Sequence, residues 1–252
     1  MKKVAFLCLF GILTSQVAAH DLWVIGKNGE KFEADMVYGH HFPTPEDIKK
    51  DRLVLFDPVK VIGENTQITL TQSGKEYHFE GDKLEKGVYI VNAFYKPTPW
   101  IQKEDGKWEM NKTRKDTKEA VKYCGISTMQ SKAFVEVDGG DSKIIAKPLN
   151  KGLEIVPLFD SVSKIKEGEL LKFKILLNGK PVKKAQIYAS YDGYASNDMA
   201  QAGYAKSDLE GNFEFRALKK GLWYLKSTVN TKTNNDDCEI FNDKTTLVFE
   251  VK

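Results

Sequence analysis

The chain has 252 residues, of which 41% are hydrophobic and 29% are charged, and its formal net charge at pH 7 is +3. This is the composition of an ordinary globular protein, and the length is long for one domain and comfortable for two. The near balance of 38 basic and 35 acidic residues leaves no strong field for nucleic acid or anionic lipid, so we expect neither as a partner.

The first 19 residues have the pattern of a secretion signal. Lys2 and Lys3 precede an apolar run over residues 4–13, and Val17-Ala18-Ala19 supplies the small residues that a signal peptidase recognises. The apolar run is too short for a membrane span. Cleavage after Ala19 would make His20 the first residue of a mature protein that is periplasmic, soluble and not inserted in the membrane.

Strand patterns dominate residues 20–150. Residues 32–38 alternate apolar and polar side chains, Ser73-Gly74 separates two short β-prone runs, and residues 87–95 are strongly β-prone. These features predict an N-terminal β-sandwich. Residues 111–121 are rich in charged side chains and have little apolar stripe, so they predict one short surface helix.

Residues 151–252 predict a second β-sandwich. Short β-prone runs recur at regular spacing, separated by turn sequences such as Asn178-Gly179 and Asp208-Leu209-Glu210-Gly211. Neither half shows the alternation of strands and helices typical of nucleotide-binding folds. The predicted fold class is therefore all-β, with two β-sandwich domains of immunoglobulin-like type and one short surface helix.

Two cysteines, Cys124 and Cys238, remain after removal of the signal. In an oxidising compartment an even number of cysteines can form a disulfide, but the spacing neither supports nor excludes this bond. A disulfide and two separate thiols both stay open at this point.

Histidines give the clearest indication of function. Three of the four, His20, His40 and His41, lie within 22 residues of one another. A free amine on His20 and its own imidazole could chelate a metal together, and one further nitrogen would complete a set that suits Cu(II) or Ni(II). We predict His20 and either His40 or His41 as ligands, with Asp21 in support. The fourth histidine, His78, is expected to be structural or to face solvent.

Motifs for enzymatic chemistry are missing from the sequence. It contains no Gly-x-Ser-x-Gly, no phosphate-binding glycine loop, no His-Glu-x-x-His and no Cys-x-x-Cys. We therefore expect a binding protein rather than an enzyme.

Several turns of the second unit resemble those of an immunoglobulin-like or transthyretin-like module. The segments that carry this likeness are Asn178-Gly179-Lys180-Pro181-Val182, Ser207-Asp208-Leu209-Glu210-Gly211 and Gly221-Leu222-Trp223. With Gly152-Leu153-Glu154 before them and the opening Ala19-His20, the chain is similar to a bacterial exported family, formerly of unknown function, that is encoded beside nickel and cobalt transporters.

This resemblance implies a periplasmic nickel-uptake component with His20 as its exposed ligand. The segment Gly39-His40 followed by Phe42 matches the family's Gly-His-Pro-Phe, with His41 in the place of proline, which favours His40 over His41. We expect capture of Ni(II), or of Cu(II) or Co(II), and delivery to an inner-membrane metal transporter. The alternatives are a periplasmic copper carrier that uses the same histidine brace, and a protein- or glycan-binding module without metal.

Overall fold

The computed structural model describes residues 20–196, 200–233 and 237–252, so the predicted signal over residues 1–19 lies outside it. The described residues form seventeen β-strands and four 3-10 helices. The strands are β1 (Asp21–Asn28), β2 (Phe32–Gly39), β3 (Lys60–Ile62), β4 (Gln67–Thr69), β5 (Thr71–Gln72), β6 (His78–Gly81), β7 (Gly87–Lys103), β8 (Trp108–Met110), β9 (Val121–Val137), β10 (Leu153–Pro157), β11 (Leu170–Leu177), β12 (Lys180–Pro181), β13 (Gln186–Tyr191), β14 (Gly203–Lys206), β15 (Asn212–Arg216), β16 (Gly221–Lys232) and β17 (Ile240–Val251). The 3-10 helices are Lys50–Leu55, Arg114–Asp116, Lys143–Ala146 and Val162–Lys164.

The strands form one large sheet and two small ones. The large sheet has nine strands in the order β14-β13-β16-β17-β9-β7-β3-β4, with β8 paired to β7. One small sheet has the order β1-β2-β6-β5, and the other has the order β10-β11-β12 with β15 paired to β11. Strands β17 and β9 run parallel at the centre of the large sheet.

The two small sheets pack on opposite faces of the large one. Along β7, Tyr89 and Val91 belong to the core shared with β1 and β2, whereas Val88 and Ile90 belong to the core shared with β10 and β11. This alternation follows from the two-residue period of a strand. The all-β, sandwich-type prediction is confirmed. The two sandwiches have the large sheet as their common layer.

The predicted ranges 20–150 and 151–252 describe the two small sheets, whereas the large sheet takes strands from both ranges. The halves are therefore joined by backbone hydrogen bonds along β9 and β17, in register from Gly125 opposite Ile240 to Ala133 opposite Val248. Among the described residues, no helix is both long and apolar enough to cross a membrane.

The short surface helix expected over residues 111–121 is much shorter than predicted. This segment contains a single 3-10 turn, Arg114–Asp116, and Thr113 is its N-cap. Strand β9 already starts at Val121. The Thr113 backbone amide donates to Asp116 Oδ2 at 2.8 Å, and the segment has no apolar stripe to bury. Without such a stripe, packing cannot stabilise a longer helix.

The cysteine pair that the sequence left open is bonded. Cys124 lies near the start of β9 and Cys238 lies two residues before β17, with their Cα atoms 4.6 Å apart. Both are buried in a small core with Ile101. The bond therefore fastens the two parallel strands at the end where their pairing begins.

One fully buried ion pair links the large sheet to the second small sheet. Lys132 Nζ lies 2.8 Å from Glu154 Oε2, and both side chains are 0% exposed. The backbone amides of Leu149 and Asn150 also donate to the Glu154 carboxylate, at 3.0 and 2.8 Å. Burial lowers the pKa of the Lys132 ammonium group. The Lys132 ammonium group and the Glu154 carboxylate compensate each other's charge, and neither could be buried in this layer without such a partner.

We predict that Lys132→Met lowers the free energy of unfolding by about 3–5 kcal/mol, because it leaves the Glu154 carboxylate buried without its counter-charge. Combining it with Glu154→Gln should restore a large part of the loss, since the remaining amide is neutral and still accepts a backbone hydrogen bond. Urea denaturation at pH 7 measures both variants. A single-variant loss below about 1 kcal/mol, the range of a surface pair, would contradict the prediction.

Candidate metal centre

The register of the first hairpin brings His20 and His40 together. Asp21 pairs with Gly39 at the open end of β1 and β2, so His20 and His40 come next in the same register. Directly opposed residues of an antiparallel pair point to the same face. Their ring centroids are 4.6 Å apart, at an interplanar angle of 40°. Of the predicted ligands, these are the two whose rings the structure places in contact.

The Tyr38 ring packs against the His20 ring, and burial lowers the pKa of His20. The two rings are stacked, with centroids 4.8 Å apart and planes 15° apart. Burial, followed by the charge of the neighbouring His40, lowers the pKa of His20 below 6.5. The neutral ring is the form that binds metal, because a metal must otherwise displace a proton.

A carboxylate that the sequence reasoning missed lies beside this pair. The backbone amide of His40 donates to Glu46 Oε1 at 2.8 Å. A Cβ atom at Gly39 would lie only 2.1 Å from the same oxygen, so the glycine leaves the room that the carboxylate occupies. Glu46 is also close enough to raise the pKa of His20, against the larger effect of burial. Glu46 thus lies next to the histidine pair, although its ligand atoms and those of the two rings do not form a group of three within 4.8 Å.

Asp21 forms ion pairs with two lysines of the large sheet. Its Oδ2 lies 2.8 Å from Lys226 Nζ and its Oδ1 lies 3.5 Å from Lys244 Nζ. Lys244 Nζ also donates to the carbonyl oxygen of His20 at 3.0 Å. The contacts of Asp21 therefore fix the start of β1. Metal ligation by Asp21 stays a prediction.

His41 lies in the turn that follows β2. Its side chain is exposed, and its carbonyl oxygen accepts a hydrogen bond from the Thr44 amide at 2.7 Å. The chain therefore bends directly after the hairpin, and the ring contact with His20 is made by His40. Ligation by His41 also stays a prediction.

The fourth histidine lies on another strand pair of the same small sheet. His78 Nδ1 is 2.7 Å from Asp35 Oδ1, and ligand atoms of Glu33, His78 and Glu80 lie within 4.8 Å of one another. Lys31 Nζ already pairs with Glu80 at 3.0 Å. Glu33 is exposed, whereas His78 and Glu80 are half-buried, and Lys31 balances only part of the negative charge of the cluster.

A large cavity adjoins His20. It has a volume of about 680 Å³, and its lining includes His20, Tyr38, Trp100, Trp108 and Tyr123. Tryptophan side chains are a frequent element of ligand sites. No local pattern in the sequence indicates that these residues from β7, β8 and β9 lie around the same cavity as the first histidine of the hairpin.

Fold and site together define an all-β protein of sandwich type with a histidine pair at the open end of its first hairpin. A family model described as "Domain of unknown function (DUF4198)" matches residues 17–231, and the chain belongs to this family. No curated protein matches the chain.

Two solved structures show weak similarity. One is the three N-terminal domains of the bacteriophage RB49 Highly Immunogenic Outer Capsid protein (Hoc), at 9% identity and a TM-score of 0.22, over 92% of this chain and 71% of that one. The other is the D0-D1 domain of Intimin, at 11% identity and a TM-score of 0.22, over 90% of this chain and 96% of that one. Similarity at this level carries no information on what the protein binds.

We predict that the His78–Asp35 pair stabilises the fold only at low pH. The hydrogen bond that the His78 ring donates to the Asp35 carboxylate raises the pKa of the ring above 6.5, so its contribution is complete below 6.5 and is lost as the pH rises through the folded-state pKa. His78→Gln should therefore cost about 0.5–1 kcal/mol at pH 5.5 and almost nothing at pH 8.5. Urea denaturation at the two pH values checks this, and an equal loss at both would contradict it.

Proposed function

We propose that the protein captures Ni(II), or a related divalent ion such as Co(II), in the periplasm and delivers it to an inner-membrane uptake transporter. The observation that carries the proposal is the contact between the His20 and His40 rings, 4.6 Å apart at the open end of the first hairpin. The metal is the cargo of this protein rather than a resident cofactor.

The proposal requires cleavage after Ala19. Cleavage would place a free amine on the same residue as the His20 imidazole, so that residue 20 would offer two nitrogens and His40 a third. Ni(II) and Cu(II) favour planar arrangements of nitrogen donors. Glu46 is a neighbouring source of an oxygen donor and of negative charge, since it accepts the His40 amide hydrogen bond.

The surroundings of the pair support reversible binding. Stacking on Tyr38 restricts the His20 ring, and the lowered pKa of His20 reduces competition from protons. His20 and His40 are both only partly buried. An ion held there could be transferred to a second protein without unfolding of the hairpin.

A periplasmic copper carrier is the second candidate, because the same donors suit Cu(II). Nitrogen sites generally bind Cu(II) more tightly than Ni(II), so relative affinity in solution does not identify the physiological metal. The nickel and copper contents of cells that lack the protein would decide between the two carriers.

Calorimetric titration of the processed form, residues 20–252, with Ni(II) tests the proposal. We expect His20→Ala and His40→Gln each to weaken binding at least about tenfold, because the loss of even an outer-sphere partner commonly costs 10- to 100-fold. The matched control is His41→Gln, which removes the exposed neighbouring imidazole and should leave the affinity unchanged.

A second form with one glycine added before His20 keeps both rings but moves the amine, and we expect it to bind more weakly than the processed form. Processed protein that binds Ni(II) no more tightly than His20→Ala would rule out the proposal. A loss in His41→Gln as large as that in His40→Gln would reassign the second imidazole.

A further inference from the structure

The cavity beside His20 has aromatic walls that are held in place by other contacts. Trp100 Nε1 donates to the Tyr95 hydroxyl at 3.1 Å, which fixes the indole ring. Trp108 packs edge-on against Tyr123, with ring centroids 5.7 Å apart. Such rigid rings offer flat apolar surfaces for stacking.

Gly125 leaves room for the Tyr123 side chain on the surface of β9. A Cβ atom at Gly125 would lie 2.3 Å from the Tyr123 hydroxyl and 2.8 Å from Asn242 Nδ2. The Asn242 amide donates to that hydroxyl at 3.0 Å, so the ring is fixed across β9 and β17. The position of Tyr123 thus depends on the absence of a side chain at residue 125.

The charges that line the cavity all have one sign. Arg52, Lys122 and Lys244 border it, and no aspartate or glutamate is among the described residues that line it. Lys244 already pairs with Asp21. The described carboxylates form no ion pair with Arg52 or Lys122. Two cations next to aromatic walls favour an anion with a flat apolar body.

We propose that this cavity binds a planar organic carboxylate, which pairs with Arg52 and Lys122 and stacks against Trp100 and Trp108. A volume of about 680 Å³ is within the range of small-molecule sites. Because His20 lines this cavity and His40 does not, the bound carboxylate would reach a metal ion held by the pair from the His20 side. This last step rests on the proposed metal-binding function, whereas binding of the anion does not.

The first experiment tests the cavity without metal. Isophthalate, a benzene ring with two carboxylates, is titrated into the protein while tryptophan fluorescence is recorded. We expect saturable quenching, and we expect Arg52→Gln and Lys122→Gln each to weaken binding about tenfold, the loss of one charge-assisted hydrogen bond. Lys122 is exposed, so its substitution does not disturb packing.

Two controls accompany this titration. Lys83→Gln removes an exposed lysine that does not line the cavity and should bind isophthalate as the unmodified protein does. The uncharged diol analogue of isophthalate should bind more weakly, because it lacks the carboxylates. Absence of saturable quenching, equal binding by all variants, or equal binding of the diol would overturn the proposal.

The second experiment adds the metal. The one-to-one complex of Ni(II) with dipicolinate, a planar dicarboxylate that leaves metal positions open, is compared with nickel chloride. We expect the complex to bind more tightly to the unmodified protein and to lose this advantage in Arg52→Gln. Isophthalate binding without any nickel binding would refute the proposed function and leave the anion site standing. Nickel binding without isophthalate binding would refute the anion site and leave the proposed function standing.

Discussion

The candidate site depends on how the last strands hold the first one. The Thr246 hydroxyl donates to the Leu22 carbonyl oxygen at 2.6 Å, and Lys244 Nζ donates to the His20 carbonyl oxygen at 3.0 Å. Lys226 pairs with the Asp21 carboxylate at 2.8 Å. These three side chains come from β16 and β17, more than 200 residues after the strand whose start they fix. The position of His20 therefore depends on contacts between the first strand and the last two strands of the chain.

This arrangement is possible because the two halves share a sheet. Strand β17 pairs with β9 in parallel, and the Cys124–Cys238 bond closes the end of that pairing nearest the cavity. On the opposite face, the buried pair of Lys132 and Glu154 holds the second small sheet. A substitution far from His20 can thus move it by loosening the central strands.

The sequence predicts local structure well and long-range pairing poorly. The alternation of Phe32, Ala34, Met36 and Tyr38 correctly identified a buried face, and all four are buried in the first core. Asn28-Gly29 is a turn sequence, and a three-residue turn over residues 29–31, with Asn28 paired to Phe32, places His20 opposite His40. The alternation of apolar and polar residues does not by itself specify this register, but the turn sequence does.

Other features could not be read from the chain. The parallel pairing of β9 with β17, and hence the shared sheet, is set by packing between segments far apart in sequence. Glu46 lies beyond two prolines, and nothing local indicates that its carboxylate reaches back to the His40 amide. The cavity brings Arg52 and Lys122 to His20 from separate elements. Charged and aromatic residues of this kind are too common in sequences to be recognised one at a time.

The charges around His20 connect the metal proposal with the anion proposal. Burial lowers the pKa of His20 most and His40 lowers it next, and the charges of Arg52 and Lys244 lower it further. Arg52 opposes the approach of a divalent ion, since like charges repel at short range in a partly buried site, whereas Lys244 is paired with Asp21. Glu46 supplies one negative charge next to the pair, which is less than a divalent ion and Arg52 require. On the two proposals taken together, a dianionic ligand in the adjoining cavity would supply the rest, and the metal would arrive as a complex with an organic acid rather than as a bare hydrated ion.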